Sequence, residues 1–195
     1  MDSFTGNVVD EFNAGLDKLL ADGVTALIID VRNNPGGTLD SVVAIADRIL
    51  PDCIITTLEG KLVDPPQVYR SSDAQKLEIP LVVLTNGNSA SASEIFASAV
   101  QDNAAGLILG TTTFGKGIVQ TSWEVLPGQG YLKLTTDAYL TPKGSMIHGV
   151  GITPDRIVEQ DPELENTDVF FILRDMPERD LQLNAAIEYL NGIDR

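Results

Sequence analysis

The sequence predicts an α/β fold with βαβ units in its first half and a more β-rich C-terminal half. Three observations carry this. Short runs that are almost wholly apolar, at residues 26–31, 81–84 and 106–110, read as strands buried on both faces, as in a parallel sheet covered by helices. Segments of helical periodicity lie between them, at residues 7–21, 39–50 and 93–101. Past Gly110 that period gives way to two extended segments, residues 118–125 and 131–140, around the hairpin-like turn Pro127-Gly128-Gln129-Gly130. Strands alternating with helices imply right-handed crossovers.

In chain order, Val8, Val9, Phe12, Leu16, Leu19 and Leu20 form the first helical stripe, which Gly23 ends. The strand Ala26-Leu27-Ile28-Ile29-Asp30-Val31 follows, then Asn33-Asn34-Pro35-Gly36-Gly37, a turn rich in backbone-permissive residues. Thr38 is placed to cap the next helix, whose stripe is Leu39, Val42, Val43, Ile45, Ala46, Ile49 and Leu50. Cys53 opens a strand-like run and reads as a small core residue. Residues 59–78 read as irregular, with 60–72 around Pro65-Pro66 as the most flexible segment. Residues 162–166 read as a loop, and 181–190 as a closing helix.

A chain of 195 residues is long enough for one domain with a real core. Its net charge of −15 argues against nucleic acid or an anionic membrane surface, which call for a basic face. A single cysteine forms no internal disulfide and no metal cluster by itself. No apolar run approaches about 18 residues, and Met1-Asp2-Ser3 lacks the basic start and apolar stretch of a signal peptide.

The chemistry centres on Asn86-Gly87-Asn88-Ser89-Ala90-Ser91-Ala92-Ser93-Glu94, where a strand gives way to a helix. Its serines suit a helix N-cap, and equally a place where backbone N–H groups converge on a developing negative charge. A nucleophilic serine needs a base. The only histidine, His148, lies in a glycine-bearing loop and reads more readily as a surface group. A lysine base must be uncharged, which burial favours and a neighbouring carboxylate opposes. Lys116, in Phe114-Gly115-Lys116-Gly117, is the lysine with no acid between Asp102 and Glu124. Gln120, four residues later, can align an amine without adding charge if the segment is extended. Donors for an oxyanion are at hand in the N–H after the nucleophile and in one from the Pro35-Gly36-Gly37 turn, since such turns gather at the carboxyl ends of parallel strands.

Four blocks resemble the carboxyl-terminal processing, or tail-specific, proteases, a serine peptidase family with a Ser–Lys dyad. They are LIIDVRNNPGG, VVLTNGNSASASEIFASAVQDN, GTTTFGKGIVQ and AYLTPKGSMIHGVGITPD, in the family's order. The resemblance implies Ser91 as nucleophile, Lys116 as general base 25 residues later (116 − 91), Gln120 in support, and the N–H groups of Gly37 and Ala92 as oxyanion donors. It implies a fold related to the crotonase and Clp-protease superfamily. It also implies that residues 1–195 are a peptidase core without the family's preceding PDZ domain or the core's first strand, and that the full-length protein is extracytoplasmic. An absent edge strand would invite a homo-oligomer through the exposed edge. No cofactor or metal is expected.

The mechanism expected is peptide-bond hydrolysis through an acyl-enzyme, with Lys116 kept neutral by burial and a protein or peptide substrate bearing an unstructured, apolar C-terminal tail. Three alternatives stand beside it. One is a non-catalytic domain of the same fold that binds peptides or apolar ligands. The others are a crotonase-like enzyme acting on acyl thioesters, and a Ser–His hydrolase using His148.

Overall fold

The computed structural model describes residues 1–72, 77–126, 128–164 and 167–193. In chain order the elements are α1 (Val8–Ala21), β1 (Leu27–Asp30), α2 (Leu39–Asp47), β2 (Ile54–Gly60), β3 (Val63–Arg70), β4 (Leu81–Thr85), α3 (Ala92–Asp102), β5 (Leu107–Gly110), β6 (Ile118–Glu124), β7 (Tyr131–Leu140), β8 (Arg156–Ile157), α4 (Val169–Asp175), a 3-10 turn (Pro177–Arg179) and α5 (Leu181–Asn191). Two four-stranded sheets result. The first is parallel, in the order β1-β4-β5-β8. The second is antiparallel, in the order β3-β2-β7-β6.

Strand β4 is buried at all five positions because both faces of the parallel sheet are covered. Leu81 and Val83 join Ile29 and Ile108 in the main core with Phe4, Val42, Ile45, Ile95, Phe96 and Val100. Val82, Leu84 and Leu109 face the other way, against Ala186 and Leu183 of α5. The period of two along the strand therefore sorts one apolar run into two cores. Thr38 caps α2 as expected, its Oγ accepting the Ser41 N–H at 3.2 Å.

The structure corrects one expectation in residues 59–72. Residues 63–70 are not irregular but form β3, paired along β2. Proline is depleted in strands because it cannot donate to a ladder, yet β3 lies at a sheet edge, where that donor is not needed. The expected irregular segment also includes 73–76, the expected hairpin turn Pro127 and the expected loop 165–166, and these lie outside the described residues. The hairpin closes through Val125 N–H to Gly130 O at 3.0 Å. Near the chain start Phe4 makes an isolated parallel bridge to Gly37.

The C-terminal segment is tied to the sheet by a buried ionic cluster. Arg32, just past β1, donates to Asp30 and to both carboxylate oxygens of Asp180, the N-cap of α5, at 2.9 and 2.7 Å. Burial pulls the Arg32 guanidinium down, but its bonds to Asp30 and Asp180 more than offset this and hold it above its ordinary value. Burial likewise pushes the Asp180 carboxyl up; Arg32, the Leu183 N–H and Gln160 outweigh it and hold the group below its ordinary value.

Candidate active site

Ser91 sits between β4 and α3, at the N-cap position of the helix. Its backbone is left-handed, with φ 58° and ψ −115°, a conformation that costs a non-glycine residue about 1–3 kcal/mol. Such strain persists only where the surroundings over-determine it. Here they do. Ala90 N–H donates to Asn34 O at 3.0 Å, and Ser93 Oγ donates to the same carbonyl at 2.9 Å. Ser89 Oγ donates to Val31 O at 2.8 Å. The flanking serines are thus fully buried and spent on holding the loop, whereas Ser91 is half-buried.

Lys116 reaches this loop through Glu94. That carboxylate is fully buried and accepts four bonds. Oε1 takes the Thr113 hydroxyl at 2.6 Å and the Gly115 N–H at 2.7 Å; Oε2 takes the Ser91 N–H at 2.8 Å and the Lys116 N–H at 2.7 Å. Since one oxygen binds both amides, the backbone nitrogens of Ser91 and Lys116 are no more than 5.5 Å apart, the 2.8 and 2.7 Å bonds laid end to end. Residues 25 apart in sequence (116 − 91) are brought together by one buried side chain. The Phe114 N–H adds a further tie, to Ser89 O at 3.0 Å.

Glu94 is the residue that sequence reasoning passed over. It was legible in part: Ser91-Ala92-Ser93-Glu94 has the Ser-x-x-Glu spacing in which the acid reaches back to the N-cap N–H. Its second set of partners, on the 113–116 loop, has no local signal. Asn34 was passed over too. Fully buried, it accepts the Gly36 N–H on Oδ1 at 2.9 Å while its carbonyl holds the serine loop.

The Gly36-Gly37 turn lies against the serine loop. A Cβ on Gly36 would fall 2.8 Å from Ser91 Cβ and 2.9 Å from Ala92 N. Only glycine permits that approach, and the Gly36 φ of 101° also favours it. Among the described residues, no protein acceptor takes the N–H of Gly37 or of Ala92. Both donors remain unspent on backbones in contact.

Two site residues differ from expectation. Lys116 was expected to be buried; it is exposed, because no other segment packs over its side chain. Among the described residues it forms no ion pair. Gln120 is also exposed, in edge strand β6, and a register shift between Val119 and Gln120 breaks the strict alternation expected of positions 116, 118 and 120. Loop 145–150 packs on the lysine loop, with Gly149 N–H to Gly115 O at 2.9 Å, and carries the exposed His148. A cavity of about 560 Å³ is lined by Asn33, Asn86, Asn88, Glu159 and Leu164 and includes neither Ser91 nor Lys116.

A strained serine past the carboxyl end of a parallel strand lies beside two backbone N–H groups without protein acceptors among the described residues, and the family of the chain makes it a serine-type peptidase. The chain belongs to Peptidase family S41, whose profile matches residues 1–158. It is 35 % identical to a carboxy-terminal-processing protease of Bartonella bacilliformis across 97 % of this chain and 50 % of that protein. It is also 35 % identical to a carboxyl-terminal-processing protease of Synechocystis sp. across 98 % of this chain and 43 % of that one. The chain thus spans about half the length of these relatives. Among solved structures it is similar to a photosystem II D1 C-terminal processing protease, with a TM-score of 0.77 and 32 % identity over 89 % of this chain and 44 % of that one. The α/β fold, with one parallel and one antiparallel sheet, is that of S41 proteases.

Proposed function

We propose that this chain is the catalytic core of a serine endopeptidase that cleaves proteins near unstructured, apolar C-terminal tails, using Ser91 and Lys116 as a dyad. The observation that carries the reading is the sharing of Glu94 Oε2 by the N–H groups of a strained Ser91 and of Lys116. A peptide-binding domain has no need of that strain.

The neutral Lys116 amine takes the Ser91 hydroxyl proton as the oxygen attacks the scissile carbonyl. The Gly37 and Ala92 N–H groups receive the developing oxyanion. Lys116 then gives its proton to the leaving amine, and accepts one from the water that hydrolyses the acyl-enzyme. Gln120 aligns the amine without adding charge.

Exposure of Lys116 assigns a second role to the substrate. Phe114 and Val150, 66 % and 68 % exposed on the two adjoining loops, offer apolar surface beside the lysine. A seated apolar segment would cover them and exclude water from the amine together. The substrate lies extended along edge strand β6. A homo-oligomer would form separately, through the edge that an absent first strand leaves exposed.

The full-length protein is read as extracytoplasmic, with a PDZ domain preceding the core, on the strength of the family resemblance. Among the described residues no helix is long and apolar enough to cross a membrane.

The test is digestion of an unstructured polypeptide with an apolar tail. Ser91→Ala abolishes cleavage, and Lys116→Ala and Lys116→Arg both remove it, since a guanidinium cannot act as a base. His148→Ala retains it. Cleavage that survives Ser91→Ala, or is lost with His148→Ala and kept with Lys116→Ala, overturns the reading.

A further inference from the structure

We infer that Phe4 is a positioning residue for the oxyanion site: its backbone clamps the Gly36-Gly37 turn while its ring locks that turn to α3, the helix that Ser91 precedes. The inference rests on the assignment of the Gly37 N–H as an oxyanion donor. Phe4 N–H donates to Gly36 O at 2.8 Å, and Phe4 O accepts the Thr38 N–H at 2.9 Å. In a parallel bridge of this kind the two bonds go to the residues on either side of the opposed one, so the N–H of Gly37 itself is directed away from Phe4. The clamp therefore fixes the peptide plane of Gly37 without consuming its donor, and that donor meets no protein acceptor among the described residues. The approach is close enough that a Cβ on Gly37 would lie 2.2 Å from Phe4 O.

The ring supplies the other half. Phe4 is fully buried, with its ring centroid 6.0 Å from that of Phe96, which is also fully buried and lies about one turn into α3. One residue thus joins the segment bearing one oxyanion donor to the helix whose first residue, Ala92, bears the other. Neither partner touches the reacting atoms, so the role is positional. Trimming the ring frees the turn to shift relative to the nucleophile while leaving substrate contacts in place. A displacement near 1 Å at such a site lowers turnover by up to about 100-fold.

The experiment compares Phe4→Ala, Phe4→Leu and the control Leu109→Ala, whose site is fully buried in the core on the other face of the sheet. Two readouts are taken: kcat and KM for Ser91-dependent cleavage of the apolar-tailed polypeptide, and hydrogen exchange across residues 34–40. Phe4→Ala is expected to lower kcat about 10- to 100-fold with KM within about twofold, and to speed exchange at residues 36–38. Phe4→Leu keeps most of the activity. Leu109→Ala lowers thermal stability but leaves kcat and that exchange unchanged. If Phe4→Ala does not fold, Phe4→Val takes its place with the same expectations. A folded small-residue variant with wild-type kcat, or with unchanged exchange at 36–38, overturns the inference, as does an equal fall in kcat in Leu109→Ala. Failure of the dyad assignment shows separately, as cleavage indifferent to Ser91→Ala, and the exchange data still decide whether Phe4 holds the turn.

Discussion

Glu94→Gln tests how the site is assembled. In the native protein the two carboxylate oxygens face four donors: the Thr113 hydroxyl and Gly115 N–H at one, the Ser91 and Lys116 N–H groups at the other. Glutamine keeps the shape but turns one oxygen into an NH2 that donates. Placed at the Oε2 position, that NH2 would oppose two backbone N–H groups, neither of which can reverse. Placed at the Oε1 position it opposes only Gly115, since the Thr113 hydroxyl can rotate to accept. The second orientation wins, and it still orphans one buried N–H and removes the charge from the remaining bonds. Hydrogen bonds to a charged group are worth about 1.5–3 kcal/mol, and an unsatisfied buried donor costs about 1–3 kcal/mol. The net loss is therefore about 2–4 kcal/mol, read by urea denaturation. Activity should fall further than stability explains, by about 10- to 100-fold at a temperature where the variant is fully folded, because Ser91 and Lys116 lose their common anchor. A Glu94→Gln protein within about 0.5 kcal/mol of wild type and equally active would refute the reasoning.

Gly36→Ala should abolish detectable cleavage and cost more than about 2 kcal/mol, since its methyl would fall 2.7 Å from Ala90 O and 2.8 Å from Ser91 Cβ at a φ of 101°; a crystal structure with an unmoved serine loop would contradict this. Lys116→Met should behave oppositely. The exposed side chain adds little to the fold and, under the proposed dyad, serves the chemistry, so unfolding free energy stays within about 0.5 kcal/mol while cleavage is lost. Acid stability should depend on Asp180. Its folded value lies below the ordinary carboxylate value of about 3.9, so its contribution is full above that pH and lost as pH falls through the lower folded value. Asp180→Asn should flatten the stability–pH curve below about pH 4, and an unchanged slope would count against the Arg32 cluster as the cause.

How much of this was legible in the sequence varies with the range of the interaction involved. The buried parallel strands and their covering helices were readable because two-sided burial writes itself as an apolar run and one-sided burial as a helical stripe. The Gly36-Gly37 turn and the Thr38 cap were readable because their chemistry is local. Strand β3 was not, since its polar residues and Pro65-Pro66 look like a loop until an edge position excuses them. Nor was β8, a two-residue strand defined only by its pairing with β5.

The same division runs through the site. Residue types pointed to the serine cluster, to Lys116 and to the glycine turn, and the family resemblance singled out Ser91 among the three serines. Only the tertiary structure decided what joins them. Glu94 binds two loops that the chain separates, Asn34 ties the glycine turn to the serine loop, and Phe4 spans the turn and α3. Each is an ordinary acid, amide or aromatic residue whose role comes from partners distant in sequence. The exposure of Lys116 was likewise set by the fold, because burial belongs to whatever packs above a side chain and its neighbours in sequence do not encode that.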